Sequence, residues 1–542
     1  MSDDQQPLPP GWVEATIDEL CLINPKHSAR IPDETHVSFV PMAAVSDVHG
    51  TIDSPEVRTF GEVKRGFTHF ADGDVIFAKI TPCMENGKAA SVRGMTNGIA
   101  CGTTEFFVFR SQGGVAQDYL YHFIRQESYR KAARAQMQSG VGQARVPKEF
   151  IENTLIPIPP LPEQRRIVSK IEALQERSGR AAKALAEVGP LLEQFRQSIL
   201  AAAFSGRLTA DWREKRRMGI PARHSSPKNQ SNEDNEISGK NAQATENESA
   251  HELLTRIRTE RRHRWEQAEL AKFQAKGKQP PKDWKDKYEE PEPVDETDLP
   301  ELPNGWCWTS LDVLTEFITS GSRGWAEFYA DTGPLFVRAQ NINTDKLVLD
   351  DVAHVRPPAG SEGIRTKIER GDLLIAITGA NVTKAAPVEI DLGEAYVSQH
   401  VALARLLAPE LLTYIHLWTV SASNGRAQLL EVAYGNGKPG LNLEHLRRLR
   451  IAFPPTDEQN TIVASITAAI SSMSLIRLSA FDARSDLTQL NQSILAKAFR
   501  GELVPQDPND EPASELLARI RNTRKATVQK QTQKSPKKAG KK

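Results

Sequence analysis

The stretch QSILAAAFSGRL at residues 197–208 returns almost unchanged as QSILAKAFRGEL at residues 492–503, which is 295 residues later. The opening motif LPPGW at 8–12 also returns, as LPNGW at 302–306. Repeat arrays need three or more short units, so two long copies indicate a duplicated module of several elements. We therefore expect two similar halves that can be related by pseudo-twofold symmetry.

A closing motif recurs at a shorter distance. ELLTRIR at 252–258 returns as ELLARIR at 515–521 after only 263 residues. The difference from 295 places an insertion of 32 residues in the first copy, within the Ser-, Asn- and Glu-rich stretch 216–249. That composition predicts a flexible linker.

A predicted long helix follows PPLPEQRRIV at 159–168 and its repeat PPTDEQNTIV at 454–463. Apolar residues recur in both helices with alternating spacings of four and three residues, which is the heptad pattern of a coiled coil. The predicted seam residues are Ile167, Ile171, Leu174, Leu185, Leu192, Phe195 and Ile199, and then Ile462, Ile466, Ile476, Leu487, Leu490 and Ile494. Two such helices would each be about 60 Å long, and symmetric copies would pair them antiparallel. The alternative is that each helix packs only on its own globular part.

The first 150 or so residues of each copy predict a globular part of mixed structure. Short β-like runs alternate there with Gly, Pro and Asn turns, and one helix-like segment follows near 117–137 or 411–432. The runs are 39–45, 74–80 and 105–109 in the first copy, and 335–339, 372–377 and 400–404 in the second.

Composition and missing motifs exclude several classes of protein. The chain has 69 basic and 69 acidic residues, so any contact with DNA must come from local patches. Its four scattered cysteines form no Cys-x-x-Cys pair, which argues against a zinc ribbon and a disulfide scaffold. A P-loop, a methyltransferase Asn/Asp-Pro-Pro-aromatic motif and a His pair at metal-ligand spacing are all missing, so we expect no catalytic residue and no metal site. A polar N-terminus and the lack of a long uninterrupted apolar run predict a cytoplasmic protein.

Polar loops at matching places in the two copies are the candidate binding sites. Asn, Gln, Arg and Lys match the donors and acceptors of base edges or bind phosphates, and Gly lets a backbone approach a surface closely. The candidate DNA-binding residues are Thr81, Asn86, Lys88, Gln143 and Arg145 in the first copy, and Arg338, Gln340, Asn341, Asn343, Asn381, Lys384, Asn436 and Lys438 in the second. Ordinary solvated turns are the alternative for each loop. Residues 1–160 carry a net charge of −4, so this part should bind DNA weakly without a basic partner.

With its PxGW openings, EQRRIV and EQNTIV helix starts and closing ELLxRIR helices, the chain resembles the specificity (S) subunit of type I restriction–modification systems. The resemblance implies an α+β fold in which two pseudo-symmetric α/β target-recognition domains are separated by two long helices that form an antiparallel coiled coil. It implies a non-catalytic subunit whose domains each read one half of an interrupted, asymmetric DNA site while the helices set the spacing. Two modification (M) subunits would bring S-adenosylmethionine for adenine-N6 methylation, and two restriction (R) subunits would use ATP and Mg for cleavage.

The resemblance and the repeats together suggest domain boundaries. They are 1–160 for the first recognition domain, 161–212 for the first spacer helix, 213–250 for a flexible linker, 251–300 for a helical extension and acidic connector, 301–455 for the second recognition domain, 456–504 for the second spacer helix and 505–542 for a C-terminal helix and basic tail. Two other functions stay open at this point. One is a helical scaffold that joins two partner-binding domains without DNA, and the other is part of a fused restriction–methylation enzyme.

Overall fold

The computed structural model describes residues 7–28, 30–137, 144–218, 248–321, 323–357, 365–435 and 439–534. The chain forms two compact units. Unit 1 consists of Met1–Glu187 and Ser479–Lys542, and unit 2 consists of Val188–Leu478. The predicted linker falls largely on 219–247, which lies outside the described residues.

Unit 1 contains two four-stranded sheets and one strand pair. In spatial order, the first sheet consists of Cys21–Ile23, Phe106–Ser111, Val75–Ala78 and Ala89–Ser91, and the second of Glu56–Thr59, His36–Val40, Ile99–Gly102 and Thr68–Ala71. The strand pair consists of Val13–Thr16 and Leu155–Ile158, which are antiparallel. In the second sheet, His36–Val40 and Ile99–Gly102 run parallel to each other.

Unit 2 repeats this plan with small differences. Its sheets consist, in order, of Thr315–Ser320, Val401–Leu406, Asp372–Ala376 and Ala385–Pro387, and of Ala353–Val355, Tyr329–Val337 and Ala395–Val397. Two strand pairs complete the unit, Cys307–Ser310 with Arg450–Phe453 and Ile342–Asn343 with Lys346–Leu347. Tyr329–Val337 and Ala395–Val397 are again parallel, so the two units share strand order and strand polarity. The predicted α+β class with two similar α/β domains is confirmed.

The single helix predicted late in each globular part is two helices. They are Gln117–Ile124 and Glu127–Ala135 in unit 1, and Leu412–Val420 and Gly425–Val432 in unit 2. The break in unit 2 falls at Ser421, whose backbone is extended with φ of −67° and ψ of 124°, and Asn424 Nδ2 donates to Ser421 Oγ there over 2.9 Å. In unit 1, Gln126 Nε2 donates to the Phe123 carbonyl over 3.3 Å at the corresponding place.

Both long helices are continuous, over Leu161–Phe204 and Thr456–Phe499. The core of unit 1 contains the start of the first helix, with Ile167 and Ile171, together with the end of the second helix. The core of unit 2 contains the end of the first helix and the start of the second, with Ile462 and Ile466. In each unit the beginning of one helix therefore meets the end of the other, which is the predicted antiparallel polarity.

The predicted seam residues differ widely in burial. Ile167, Ile171, Leu192, Ile462, Ile466 and Ile494 are buried, whereas Leu174, Leu185, Ile199 and Leu487 are half-buried. Phe195, Ile476 and Leu490 are each at least 50% exposed, so the prediction of a buried seam is wrong for these three residues. One partner helix covers only part of a seam side chain, so a seam residue is fully buried only where further elements also pack on it.

The second helix has a composition that also suits a membrane. Among the described residues, Thr456–Phe499 is long and apolar enough to span one, with a mean hydropathy of 1.6 over 18 residues, of which 17% are buried. This helix carries the second heptad seam, which accounts for its apolar residues.

The closing helix of the first copy packs in unit 2, which contains the globular part of the second copy. The closing helix of the second copy packs in unit 1, which contains the globular part of the first. Leu253, Leu254 and Ile257 from helix Ala250–Ala275 lie in the core of unit 2, and Leu517 from helix Ala513–Lys534 lies in the core of unit 1. Equivalent ion pairs hold both helices. Arg261 Nη2 lies 3.3 Å from Asp312 Oδ1 in unit 2, and Arg524 Nη2 lies 3.0 Å from Asp18 Oδ2 in unit 1.

Candidate nucleic-acid interface

Backbone hydrogen bonds join the end of a strand to the end of the Gly-rich loop in unit 1. Thr81 N donates to Ala144 O over 3.2 Å, and Val146 N donates to Lys79 O over 2.9 Å. Lys79 N in turn donates to Glu105 O over 2.9 Å. The two candidate loops and the residue before strand Phe106–Ser111 therefore meet where the two central strands of the first sheet, Val75–Ala78 and Phe106–Ser111, end and begin.

Unit 2 contains the same three backbone contacts. Gly379 N donates to Pro439 O over 3.2 Å, Leu441 N to Ile377 O over 2.8 Å, and Ile377 N to His400 O over 3.0 Å. We call these two places the strand-end surfaces. In unit 1 the surface comprises Lys79, Thr81, Glu105 and Arg145, and in unit 2 it comprises Thr378, Gln399, His400 and Gly440.

An ion pair dominates the strand-end surface of unit 1. Arg145 Nη2 lies 2.8 Å from Glu105 Oε1 and its Nε lies 3.1 Å from Oε2, so the pair is bidentate. The hydrogen bond from Arg145 lowers the pKa of the Glu105 carboxyl, and the charge of Lys79 contributes. The side chain of Arg145 is 55% exposed, so it can also reach a ligand in solvent.

A threonine, a histidine and a glutamine occupy the same frame in unit 2. Thr378 Oγ1 and His400 Nδ1 lie 2.6 Å apart, and Gln399 Nε2 lies 3.1 Å from His400 Nε2. His400 and Gln399 are exposed. The two surfaces therefore share a backbone frame and differ in side-chain chemistry.

A second group of predicted residues comes together in unit 2. Lys384 Nζ donates to Asn381 Oδ1 over 2.9 Å and to Asn343 Oδ1 over 3.3 Å. Asn381 Nδ2 donates to Ala339 O over 3.0 Å, which fixes this loop next to the strand end at residues 337–341. Asn343 is exposed, so the group presents an amide and an ammonium to solvent.

The neighbouring candidates Asn341, Arg338 and Gln340 differ in how far their side chains are exposed or hydrogen-bonded within the loop. The side chain of Asn341 is buried, accepts a hydrogen bond from Arg338 N and donates to the carbonyls of Val348 and Asp351. Its amide therefore holds the loop together. Arg338 Nη2 donates to Asp351 O over 3.2 Å, and the exposed Gln340 reaches Asp351 Oδ2 at 3.4 Å.

The candidates of the first copy also differ in exposure. Asn86 is exposed and Thr81 is half-buried. Lys88 Nζ donates to the Met42 carbonyl over 3.1 Å, so this ammonium is used inside unit 1. Arg130 donates to the carbonyl of Glu85 beside this loop. The remaining candidates Gln143, Asn436 and Lys438 lie outside the described residues.

Sequence reasoning missed Glu105, His400, Lys79 and Gln399 as members of the strand-end surfaces. Glu105 and His400 occupy equivalent positions in the two units, and the difference between their side chains is visible once the two copies are aligned. Such a difference is expected where two domains bind different sequences.

A family model described as the type I restriction modification DNA specificity domain matches residues 9–187. The EcoAI specificity subunit of Escherichia coli, a type I restriction enzyme subunit, is 28% identical over 488 residues, which cover 87% of this chain and 80% of that protein. Over most of its length the chain is therefore similar to the specificity subunits of type I restriction–modification systems. The EcoEI specificity subunit of Escherichia coli is 42% identical over 177 residues, which cover 32% of this chain and 30% of that protein.

Two solved structures share the fold of this chain. A chain from work on complex assembly and conformational transition of the type I R-M system matches with a TM-score of 0.60 and 21% identity, covering 92% of this chain and 100% of that chain. The HsdS subunit from Thermoanaerobacter tengcongensis matches with a TM-score of 0.53 and 21% identity, covering 93% and 100%. The duplicated organisation found in the sequence is therefore the organisation of this fold.

Proposed function

We propose that this DNA sequence-specificity subunit reads an interrupted, asymmetric site, with one strand-end surface contacting each half. The observation that carries the proposal is that one backbone frame holds Arg145 with Glu105 in unit 1 and His400 with Thr378 in unit 2. Different donors and acceptors on equivalent frames would select different bases, which makes the two half-sites unlike each other.

The chemistry of the unit 1 surface suggests one base pair. An arginine binds guanine O6 and N7 in bidentate fashion, and a carboxylate accepts from cytosine N4 in the major groove. Arg145 and Glu105 lie side by side, so together they would match a G·C pair. In unit 2, the Asn343 amide and Lys384 ammonium would pair with adenine or guanine edges.

Affinity for DNA would depend on a partner. Several exposed basic groups of unit 1 already face carboxylates, including Arg145 with Glu105, Lys131 with Glu127 and Arg134 with Glu85. Neutralising phosphates supplies most of the affinity for DNA, so ion-paired cations contribute less. We infer that M subunits supply the missing positive charge along with S-adenosylmethionine and adenine-N6 methylation.

The remaining assignments follow from the same proposal. The chain would be non-catalytic and cytoplasmic, two M subunits and two R subunits would assemble on it, and the R subunits would use ATP and Mg. The two long helices would set the number of base pairs between the half-sites. The boundaries 1–160 and 301–455 would enclose the recognition domains.

Sequencing the methylome of a host that carries the subunit with its M partner tests the unit 1 surface. Arg145→Ala should relax one position of one half-site and leave the other half unchanged, because a good bidentate base contact contributes about 1–3 kcal/mol of discrimination. Lys148→Ala is the matched control, since Lys148 is exposed, pairs with Glu152 and lies three residues away. It should leave the methylated motif unchanged.

The unit 2 surface is tested in the same host. The double variant Asn343→Ala with Lys384→Ala should relax the other half-site, whereas Lys346→Ala, an exposed lysine on the adjoining strand, should not. If both test variants weaken binding to all sequences equally and keep the motif, these residues contact only phosphates and the site assignment is wrong.

A further inference from the structure

Three possible metal ligands meet in the second sheet of unit 1, whereas the strand-end surface is built on the first sheet. One imidazole nitrogen of His27, one of His69 and Cys101 Sγ all lie within 4.8 Å of one another. His69 and Cys101 face each other directly across the antiparallel strands Thr68–Ala71 and Ile99–Gly102, so their side chains share one face. His27 comes from the loop after Cys21–Ile23 and completes the group.

Backbone carbonyls orient both imidazole rings. His27 Nε2 lies 2.8 Å from Ala100 O, and His69 Nε2 lies 3.0 Å from Lys64 O. A ring nitrogen that faces a carbonyl carries the proton, so Nδ1 of each ring has the lone pair. The same second contact fixes the tautomer of histidines that bind metals. His69 Nδ1 accepts a 3.1 Å hydrogen bond from His27 N, which a bound cation would replace.

The corresponding place in unit 2 is filled by aromatic rings. Cys101 pairs with Phe39 across parallel strands, and Tyr396 pairs with Phe336 in the equivalent strands of unit 2. Trp325 packs there against Tyr396 with ring centroids 5.2 Å apart, in an apolar cluster that includes Phe336. The equivalent strands of unit 2 therefore accommodate aromatic side chains at this place, whereas unit 1 has nitrogen and sulfur donors there.

Thiolate, not thiol, is the form of cysteine that binds a metal. Binding of a cation at this group would therefore form a bond from the metal to Cys101 Sγ, break the S–H bond and release the thiol proton to solvent.

We propose that His27, His69 and Cys101 bind one divalent cation of the Zn²⁺ class, with water in the fourth position. Two imidazoles and one thiolate favour Zn²⁺ over Mg²⁺ or Ca²⁺, which prefer oxygen ligands. The cation would join the loop that carries His27 to two strands of the second sheet, so its role would be to stabilise this recognition domain. Unit 2 has no equivalent group among the residues that the structure describes.

Cobalt titration of the full-length chain tests the site. The chain is first stripped of metal with a chelator and then titrated with Co²⁺, which reports thiolate ligation by its sulfur-to-metal charge-transfer absorption. The wild-type chain should saturate at one equivalent, and Zn²⁺ should displace the Co²⁺ and abolish the absorption. Cys101→Ser should lose the absorption, whereas Cys83→Ser, at a half-buried cysteine outside the group, should keep it.

A second variant distinguishes loss of metal binding from loss of folding. His27 is partly exposed, so His27→Ala should fold and should reduce Co²⁺ affinity at least about tenfold. Zn²⁺ should raise the Tm of the wild-type chain and leave that of His27→Ala unchanged. A wild-type chain without the absorption, or Cys101→Ser with it, would overturn the proposal. Neither result bears on the reading of DNA by the strand-end surfaces.

Discussion

The indole Nε1 of Trp306 donates a buried hydrogen bond of 2.9 Å to Oε2 of Glu458. Trp12 makes the same bond to Glu163 over 3.1 Å. The PxGW motif and the Pro-Pro-x-x-Glu-Gln motif of each copy are therefore two sides of one joint, which attaches a globular part to its long helix.

The joint also includes the Gly that ends the other long helix. Gly501 lies against Pro9 in unit 1, and Gly206 lies against Pro303 in unit 2. Both glycines have positive φ, of 75° and 74°, and a Cβ atom on either would lie 2.4 Å from the proline Cγ. The three most strongly repeated motifs thus serve packing rather than DNA contact.

We predict that replacing the two joint carboxylates has opposite effects. Glu458 also accepts hydrogen bonds from Thr209, over 2.6 Å, and from Arg213, so Glu458→Gln should destabilise unit 2 by about 1.5–3 kcal/mol. Glu163→Gln keeps an acceptor for Trp12 and removes a buried charge whose Oε1 atom has no hydrogen-bond partner among the described residues. It should be neutral or stabilising at pH 7. Calorimetry of the full-length variants measures both changes, and equal losses would contradict the prediction.

The stability of unit 1 should depend on pH through Glu163. Burial raises the pKa of this carboxyl, so the native state holds the proton to a higher pH than the unfolded state does. Its contribution to stability is present below the unfolded pKa and is lost as pH rises through the native pKa. In calorimetric scans, Glu163→Gln should reduce the fall in the free energy of unfolding between about pH 4 and pH 7, a range that begins near the ordinary pKa of Glu. An unchanged pH profile would show that Glu163 does not titrate in this range.

Glu105→Gln should raise the affinity of the assembled methyltransferase for nonspecific DNA and lower its preference for the cognate half-site. The substitution removes one negative charge beside Arg145 and Lys79, so the slope of log affinity against log salt should become steeper by about one unit. Fluorescence anisotropy of the assembled methyltransferase at several salt concentrations measures the slope. Glu149→Gln, at an exposed carboxylate of the same domain, is the control. A slope that matches the control would place Glu105 outside the DNA contact.

Inserting one heptad into each long helix should lengthen the gap between half-sites. Insertions between Ala181 and Leu185 and between Ile476 and Ala480 keep the seam in phase. They add about 10 Å, or up to about three base pairs. Methylome sequencing should then report a wider spacer with unchanged half-sites. A variant that assembles with M and methylates the original spacing would show that the helices do not set the gap.

Gly501→Ala should destabilise unit 1 more than Gly66→Ala does. Both residues have positive φ, which costs an L-residue about 1–2 kcal/mol, but a Cβ at Gly66 would meet no atom within 4 Å. The difference between the two variants in thermal unfolding therefore reports the close packing at Gly501, where Pro9, Gln506 and Trp12 all lie within 3.4 Å of such a Cβ. Equal effects would show that this packing contributes little.

The sequence by itself determined the duplication, the two long helices and the family. These features depend on motifs and heptads that recur at a fixed offset, and a repeat is visible without any knowledge of contacts. It also located some of the strands, because runs such as 74–80 and 372–377 combine β-forming residues with flanking turns. The prediction was wrong for most of run 39–45, because the strand ends at Val40 and Met42–Ala44 forms a 3-10 helix. Candidate loops at 81–88 and 379–384 were visible in the sequence, since polar loop residues follow buried strands.

Only the tertiary structure decided which residues share a surface. Glu105 and Arg145 are 40 residues apart, and His27, His69 and Cys101 come from three separate segments, so no spacing rule could join them. The exposure of Phe195, Ile476 and Leu490 could not be predicted either, because a heptad pattern gives the direction of a side chain but not how much of it other residues bury. Asn341 was chosen for its polar side chain, yet folding turns that amide inward to the Val348 and Asp351 carbonyls. Local pattern fixes the elements, whereas contacts between distant segments fix what each side chain can still bind.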